Sequence, residues 1–167
     1  MAERLTENDI EKIKKEIEYR KLVVRKEAIE AVKEARAQGD LSENFEYYAA
    51  KKDKNKNEGR IRYLERMLKN AVVVTDQSVE DEAGLNNTVE LYFEDDDETS
   101  TFKLVTSIRG NSLQGKISIE SPLGKAVLGR KVNDRIYVKA NDTYGYYVVL
   151  KSIDKSSGDD NDNIRSF

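Results

Sequence analysis

Residues 38–42 read Gln-Gly-Asp-Leu-Ser and separate two long stretches with helical periodicity. Gly39 is suited to end the first helix, and Asp40 or Ser42 can cap the second. Between residues 5 and 70 the chain has no proline and only one glycine besides Gly39. Two long helices joined by a few residues predict an antiparallel hairpin.

Both helical stretches carry an apolar stripe. The first opens on Thr6 with Asp9 three residues later, a variant of the capping box. Its stripe has spacings of three, four and seven, with Arg20 as the one polar interruption. The stripe consists of Ile10, Ile13, Ile17, Val24, Ala28, Ala31 and Ala35. The second seam consists of Ala50, Lys54, Asn57, Ile61, Leu64, Leu68 and Ala71.

After Ala71 the pattern changes to short β-branched and aromatic runs, which predict strands. These runs are Val72–Thr75, Thr88–Glu94, Thr101–Thr106, Lys116–Ile119, Arg135–Ala140 and Tyr144–Ile153. Ser121–Gly129 predicts one short helix with Ser121 as its N-cap and Pro122 at its first position. The second half is therefore expected to be a small α+β domain dominated by antiparallel sheet. Residues 156–167 are polar, and we expect them to be disordered.

The composition excludes several kinds of chemistry. The 167 residues include no cysteine and no histidine, so disulfides, Cys/His zinc sites and His-based nucleophilic catalysis are excluded. The first twelve residues lack the apolar run of a signal peptide, and no stretch has the roughly 18 apolar residues of a membrane span. We therefore expect a cytoplasmic protein with no membrane partner.

Charge is unevenly distributed along the chain. Residues 1–71 carry 18 Lys and Arg against 15 Asp and Glu, a net of +3, whereas the remainder carries 11 against 17, a net of −6. The overall net charge of −3 hides this difference. The two halves thus differ in charge as well as in periodicity, which supports two domains.

The connection between the helices holds two carboxylates, Asp40 and Glu43. Acidic residues are common at helix starts because the helix dipole favours them, so their position has a purely structural explanation. The alternative is Mg²⁺ binding, since Mg²⁺ is usually held by one or two protein carboxylates with waters or phosphates. Two carboxylates make an incomplete site, which a second protein would have to complete.

Basic and aromatic residues follow these acids. Lys51, Lys52, Lys54 and Lys56 cluster on the second helix, with Arg60 and Arg62 further along. They form either a solvated helix face or a set of phosphate contacts. Tyr47 and Tyr48 lie between the acids and the lysines, where they either pack the hairpin end or stack on a base.

Two motifs resemble those of a known family. Gly39-Asp40-Leu41-Ser42-Glu43-Asn44, with Glu46-Tyr47, Ala49-Ala50 and Glu58-Gly59-Arg60-Ile61, resembles the hairpin tip and second helix of the Gre transcript-cleavage factors of GreA type. Ser121-Pro122-Leu123-Gly124-Lys125-Ala126, with Leu128-Gly129, is similar to the signature of that family's C-terminal domain. The two motifs occur in the family's order and cover nearly the whole chain.

The resemblance implies an α+β protein with an N-terminal coiled-coil hairpin over 1–73, an FKBP-like polymerase-docking domain over 74–155 and a tail over 156–167. It implies a monomeric bacterial factor that enters the secondary channel of RNA polymerase and stimulates cleavage of backtracked nascent RNA at its 3′ end. The factor is then not itself an enzyme. Asp40 and Glu43 match the catalytic acids, which share Mg²⁺ with the polymerase.

The remaining site residues divide between RNA and polymerase. Lys51, Lys52 and Arg60 are expected to contact nucleic acid, and by resemblance Lys51 and Arg60 fall in the family's basic patch. Glu120, Ser121 and Pro122 are expected to dock on the polymerase.

The sequence also departs from the family pattern. Phe45 stands where a small residue is usual, Tyr48 where histidine is common, and Asn55-Lys56-Asn57 replaces a segment that usually contains glycine. The first alternative is therefore a Gre-fold regulator that binds RNA polymerase without promoting cleavage. The second is a helical-hairpin adaptor unrelated to polymerase, which the tip motif disfavours.

Overall fold

A computed structural model describes residues 2–39, 44–159 and 161–166. The contacts within it divide the chain into two units. One unit contains Ile10–Val72, and the other contains Arg4–Asp9 and Val73–Ser166. Arg4–Asp9 therefore belong with the C-terminal unit, although the sequence assigns them to the hairpin.

Helices account for most of the first unit. The first helical run comprises α1 (Glu7–Tyr19), a π-helical segment (Arg20–Val24) and α2 (Arg25–Ala37). The second is α3 (Phe45–Lys69). The predicted hairpin helices are thus confirmed.

The apolar seam is buried at the base of the hairpin, where Ile13, Ile17, Ile61, Leu64 and Met67 pack out of solvent. Met67 was not on the predicted seam, and Leu68, which was, is only half-buried.

The seam of the first helical run differs from the prediction at one position of α2. The predicted stripe residue Ala31 is exposed and Val32 is half-buried, whereas the predicted Ala28 and Ala35 are half-buried and buried. Before them, the Arg25 N–H donates to the Arg20 carbonyl, so the π-helical turn holds one extra residue.

Both hairpin helices begin with side-chain caps. Thr6 Oγ1 accepts from the Asp9 N–H at 3.1 Å, and Asp9 Oδ2 accepts from the Thr6 N–H at 2.9 Å, which confirms the reciprocal capping box. The N-cap of α3 is Asn44, not Asp40 or Ser42 as predicted. Asp40 and Ser42 lie outside the described residues.

The second unit contains a five-stranded sheet of order β5-β4-β3-β7-β6. Its strands are β3 (Thr88–Phe93), β4 (Glu98–Val105), β5 (Lys116–Ser118), β6 (Arg135–Lys139) and β7 (Gly145–Asp154). All neighbours are antiparallel except β4 and β5, which are parallel. The remaining strands, β1 (Glu3–Leu5) and β2 (Ala71–Val73), pair with each other. The predicted strands and the α+β class are confirmed.

The short helix α4 (Pro122–Val127) packs against one face of the sheet through Val127. Alternate residues of the strands, such as Val89, Leu91, Ile136 and Val138, complete the core. Gly124 permits a close approach, because a Cβ there would lie 1.9 Å from the carbonyl oxygen of Ser118. The predicted helix and its position are therefore explained by packing as well as by its cap.

The C-terminal segment differs from the disorder expected from its composition. Asp159 and Asp162 are buried and form hydrogen bonds and ion pairs within the second unit. Its polar residues have partners because basic side chains of the sheet domain face them. Composition alone does not reveal these long-range pairs.

Candidate functional site

The connection between the helices carries the predicted acids, but Asp40 and Glu43 lie outside the described residues. The residues on either side are described. Gly39 has a φ of 127°, a conformation that favours glycine. Asn44 Oδ1 accepts from the Tyr47 N–H at 3.0 Å, and Asn44 Nδ2 donates to the Ala35 carbonyl at 2.6 Å. Asn44 therefore ties the end of α2 to the start of α3 and fixes where the connection begins and ends.

The aromatic residues beside the connection have different environments. Tyr47 is half-buried, and the Arg36 guanidinium lies 5.6 Å from its ring centroid. Tyr48 lies 5.5 Å from Tyr47, centroid to centroid, and is exposed. Phe45 is 85% exposed. Tyr47 thus packs the hairpin end, whereas Tyr48 and Phe45 offer accessible rings.

The predicted nucleic-acid residues do not share one face. Lys51 and Lys52 are exposed on α3. The Arg60 side chain is only 4% exposed, and its Nε lies 2.8 Å from Glu16 Oε2 on α1. The structure therefore places Arg60 inside the hairpin, where a bidentate ion pair occupies it, and not on the basic face that the sequence predicted.

Arg60 belongs to a polar layer that the sequence analysis did not predict as a unit. Arg20 Nε also donates to Glu16 at 2.8 Å, and Arg20 Nη1 donates to Asn57 Oδ1 at 2.9 Å. Burial disfavours the charged form of Glu16, but the hydrogen bonds from Arg60 and Arg20 outweigh it and hold the pKa of Glu16 below its ordinary value. The available signal was that Arg20 and Asn57 interrupt the two apolar seams.

A second polar contact lies nearer the connection. Arg25 binds Glu58 through two hydrogen bonds of 2.9 and 2.8 Å. The hydrogen bond from Arg25 is the main reason that the pKa of Glu58 lies below its ordinary value. The half of the hairpin toward the connection is therefore held by charged pairs and small residues, and the base by large apolar residues.

The predicted docking turn lies on the second unit. Ser121 Oγ accepts from the Gly124 N–H at 3.1 Å and donates to the Ser118 carbonyl at 2.6 Å, which confirms its capping role. Pro122 is exposed, and so is Glu120, whose carboxylate lies 3.2 Å from Arg4. The turn therefore presents a carboxylate and a rigid proline to solvent.

Within residues 2–39, 44–159 and 161–166, no three acidic side chains converge on a possible metal position. In the same residues, no helix has the length and apolar character required to span a membrane.

Comparison with known proteins gives matches over both units. Residues 3–73 match the family described as transcription elongation factor, N-terminal, and residues 77–154 match transcription elongation factor, GreA/GreB, C-term. The GreA transcription elongation factor of Thermoanaerobacter pseudethanolicus is 44% identical over 136 residues, which is 81% of this chain and 87% of that protein. That of Thermotoga maritima is 41% identical over 152 residues, covering 91% and 97%.

Among solved structures, the GreA factor homolog 1 (Gfh1) protein of Thermus thermophilus is 28% identical, covering 92% of this chain and 99% of that chain with a TM-score of 0.43. The two family matches together span most of the chain in the order that the motifs predicted. The chain belongs to the GreA/GreB family of transcription elongation factors.

Proposed function

We propose that this protein is a bacterial transcription elongation factor that stimulates cleavage of backtracked nascent RNA by the active site of RNA polymerase. The observation that carries the proposal is the position of Asp40 and Glu43 within a family-matched hairpin, between Gly39 and the cap residue Asn44. Both acids lie in the short connection that a two-helix element presents at its end. The hairpin enters the secondary channel of the polymerase and brings them to the active centre.

The factor itself is not an enzyme in this proposal. Asp40 and Glu43 contribute carboxylate oxygens, the ligands that Mg²⁺ prefers, to a site that the polymerase completes. A Mg²⁺ ion held there would activate a water for attack on the RNA phosphodiester.

Contacts to the RNA are assigned to the exposed lysines. Lys51 and Lys52 follow the connection by two turns of α3 and remain accessible. Phosphate contacts from such lysines position an RNA strand without reading its sequence. The burial of Arg60 supports assigning it to the hairpin interior, so we omit Arg60 from the RNA contacts.

Docking is assigned to the second unit. Glu120 and Pro122 are exposed beside the capped start of α4, and this half of the chain carries the net negative charge. A preformed turn loses little conformational entropy when it binds. We therefore propose that Glu120, Ser121 and Pro122 contact basic side chains of the polymerase at the channel rim.

The test uses halted RNA polymerase complexes with labelled nascent RNA. The wild-type chain should shorten the RNA, and Asp40→Asn or Glu43→Gln should slow this cleavage by about 100-fold, because each removes the charge of a metal ligand. Glu46→Gln is a matched control, since Glu46 is an exposed acid in the first turn of α3. Normal cleavage by either tip variant would disprove the metal role.

A second candidate function is polymerase binding without cleavage. The exposed ring of Phe45, directly after Asn44, favours it because a bulky aromatic beside the acids would restrict how closely they approach a metal. In the same assay, wild-type protein that binds the halted complex and leaves the RNA at full length would support this candidate. Phe45→Ala should then gain cleavage activity.

A further inference from the structure

The C-terminal segment meets a buried cluster of charges in the second unit. Arg109 is fully buried, and its Nε lies 2.7 Å from Asp9 while its Nη1 lies 2.8 Å from Asp162. Asp162 also lies 2.8 Å from Lys103 Nζ and 3.1 Å from Lys116 Nζ. One carboxylate of the segment thus receives three cationic side chains from the sheet domain.

The same segment binds the start of the chain. Asp159 accepts from Thr6 Oγ1 at 2.5 Å and from Asn8 Nδ2 at 2.6 Å. Beyond Asp162, the Arg165 N–H donates to the Ile108 carbonyl at 2.7 Å. The segment is therefore held at three points, two of them through carboxylates.

The buried cations of the sheet domain need carboxylate partners. In the part of the chain that the structure describes, Lys103, Arg109 and Lys116 face Asp9 and the two acids of the segment. Without Asp162, the largely buried Lys103 and Lys116 would lose their ion pairs, and Arg109 would keep its pair with Asp9. A buried charge without a partner is strongly unfavourable, so the three cations form a binding site for a carboxylate.

The three hydrogen bonds from Lys103, Lys116 and Arg109 act on Asp162 together. Burial opposes its ionisation, but the three cations outweigh burial and lower the pKa of Asp162 to about 2. Asp162 is therefore ionised under ordinary conditions, as the ligand of a cationic site should be.

We propose that Lys103, Arg109 and Lys116 form a carboxylate-binding site whose ligands are Asp159 and Asp162 of the chain's own C-terminal segment. The segment acts as a strap that holds Thr6–Asp9, the capped start of the first helix, on the C-terminal unit. The family match ends at residue 154, so the strap lies beyond the matched part. This role is independent of polymerase binding and RNA cleavage.

Amide hydrogen exchange of the full-length chain, followed by NMR, tests the strap. The amide of Arg165 should be protected in the wild type, because it is bonded to Ile108. Asp162→Asn should raise its exchange rate, and that of the Asp9 amide, by about tenfold or more, while amides of β7 keep their protection. Asn161→Ser is the control, since Asn161 is exposed beside Asp162 and should change neither rate.

A double-mutant cycle distinguishes a direct contact between Lys116 and Asp162 from a general electrostatic attraction. Lys116→Gln alone should also raise the Arg165 exchange rate, and in combination with Asp162→Asn it should add little, because both remove the same contact. The single variant Lys116→Gln also serves as the test if Asp162→Asn does not fold, since Lys116 lies at the edge of the cluster. An unprotected Arg165 amide in the wild type, or fully additive effects of the two substitutions, would overturn the proposal.

Discussion

Replacing Arg60 with methionine distinguishes the buried ion pair from the nucleic-acid contact that the sequence predicted. The substitution keeps an extended apolar stem and removes the charge. Arg60 makes two hydrogen bonds to Glu16, of 2.8 and 3.3 Å, in a side chain that is 4% exposed. Removing one partner of a buried pair costs about 3–5 kcal/mol, because the other charge is left without compensation.

The expected cost here is smaller because Glu16 keeps a second partner. Arg20 Nε lies 2.8 Å from Glu16 and is untouched by the substitution, and the Glu16 side chain has some solvent contact. We therefore expect the free energy of unfolding of the hairpin to fall by about 2–3 kcal/mol, at or below the lower end of that range.

The measurement is urea unfolding followed by the helical circular dichroism signal. Lys51→Met is the matched control, since Lys51 belongs to the same predicted basic patch but is exposed, and its replacement should change stability by less than about 0.5 kcal/mol. Equal stabilities of the Arg60 variant and the wild type would refute the structural role and return Arg60 to the phosphate-contact interpretation.

Three further predictions concern docking, RNA contact and acid stability. Glu120→Lys in the full-length chain should weaken polymerase binding measurably in a pull-down titration. The melting temperature should stay similar, because the exposed pair with Arg4 contributes little stability. Unchanged binding would exclude the turn as a docking contact. Replacing Lys51 and Lys52 with glutamine should reduce RNA cleavage most at low salt, and the difference from the wild type should shrink as salt rises, since salt already weakens the phosphate contacts of the wild type. Cleavage equal to that of the wild type across a salt series would indicate a solvated face. The pKa of Asp162 is about 2 in the folded state against an ordinary 3.8, so its ionised form contributes about 2 kcal/mol to the free energy of unfolding above pH 4, and this contribution is lost as the pH falls toward 2. The stability difference between the wild type and Asp162→Asn should therefore shrink between pH 5 and pH 2. A difference in urea unfolding that stays constant over this range would contradict the assignment.

Elements with local signals were predictable from the sequence. The Thr6–Asp9 cap, the strands and the Ser121 cap each depend on residues within a few positions of one another. The π-helical segment was not predictable from the seam, because the predicted stripe residues on either side of it, Ile17 and Ala28, are still buried and half-buried.

The wrong placement of Arg60 and the unexpected burial of Asp162 share a different cause. Arg60 lies 44 positions from Glu16, and Asp162 lies 53 positions from Arg109. A charged residue at a helical seam position has the same local pattern whether it faces solvent or a buried partner. Only the long-range pairing decides between them, so a run of lysines and arginines was assigned to one face although one of its members points inward.

The polar layer of the hairpin also bears on how the tip acids are positioned. A seam of small alanines toward the connection would tolerate a shift of one helix along the other by a turn, about 5.4 Å. The contacts of Glu16, Arg20, Asn57 and Arg60 are directional and fit only one register. Buried polar groups are best attested as devices that specify register, often at a cost in stability.

We infer that this layer fixes the register of α3 against the first helix and so fixes the position of the connection that carries Asp40 and Glu43. Under this interpretation Arg60→Met should reduce RNA cleavage by more than its loss of folded protein explains, at a temperature where the variant is still folded, while polymerase binding stays unchanged. Cleavage that falls only in proportion to the unfolded fraction would leave the layer with a role in stability alone.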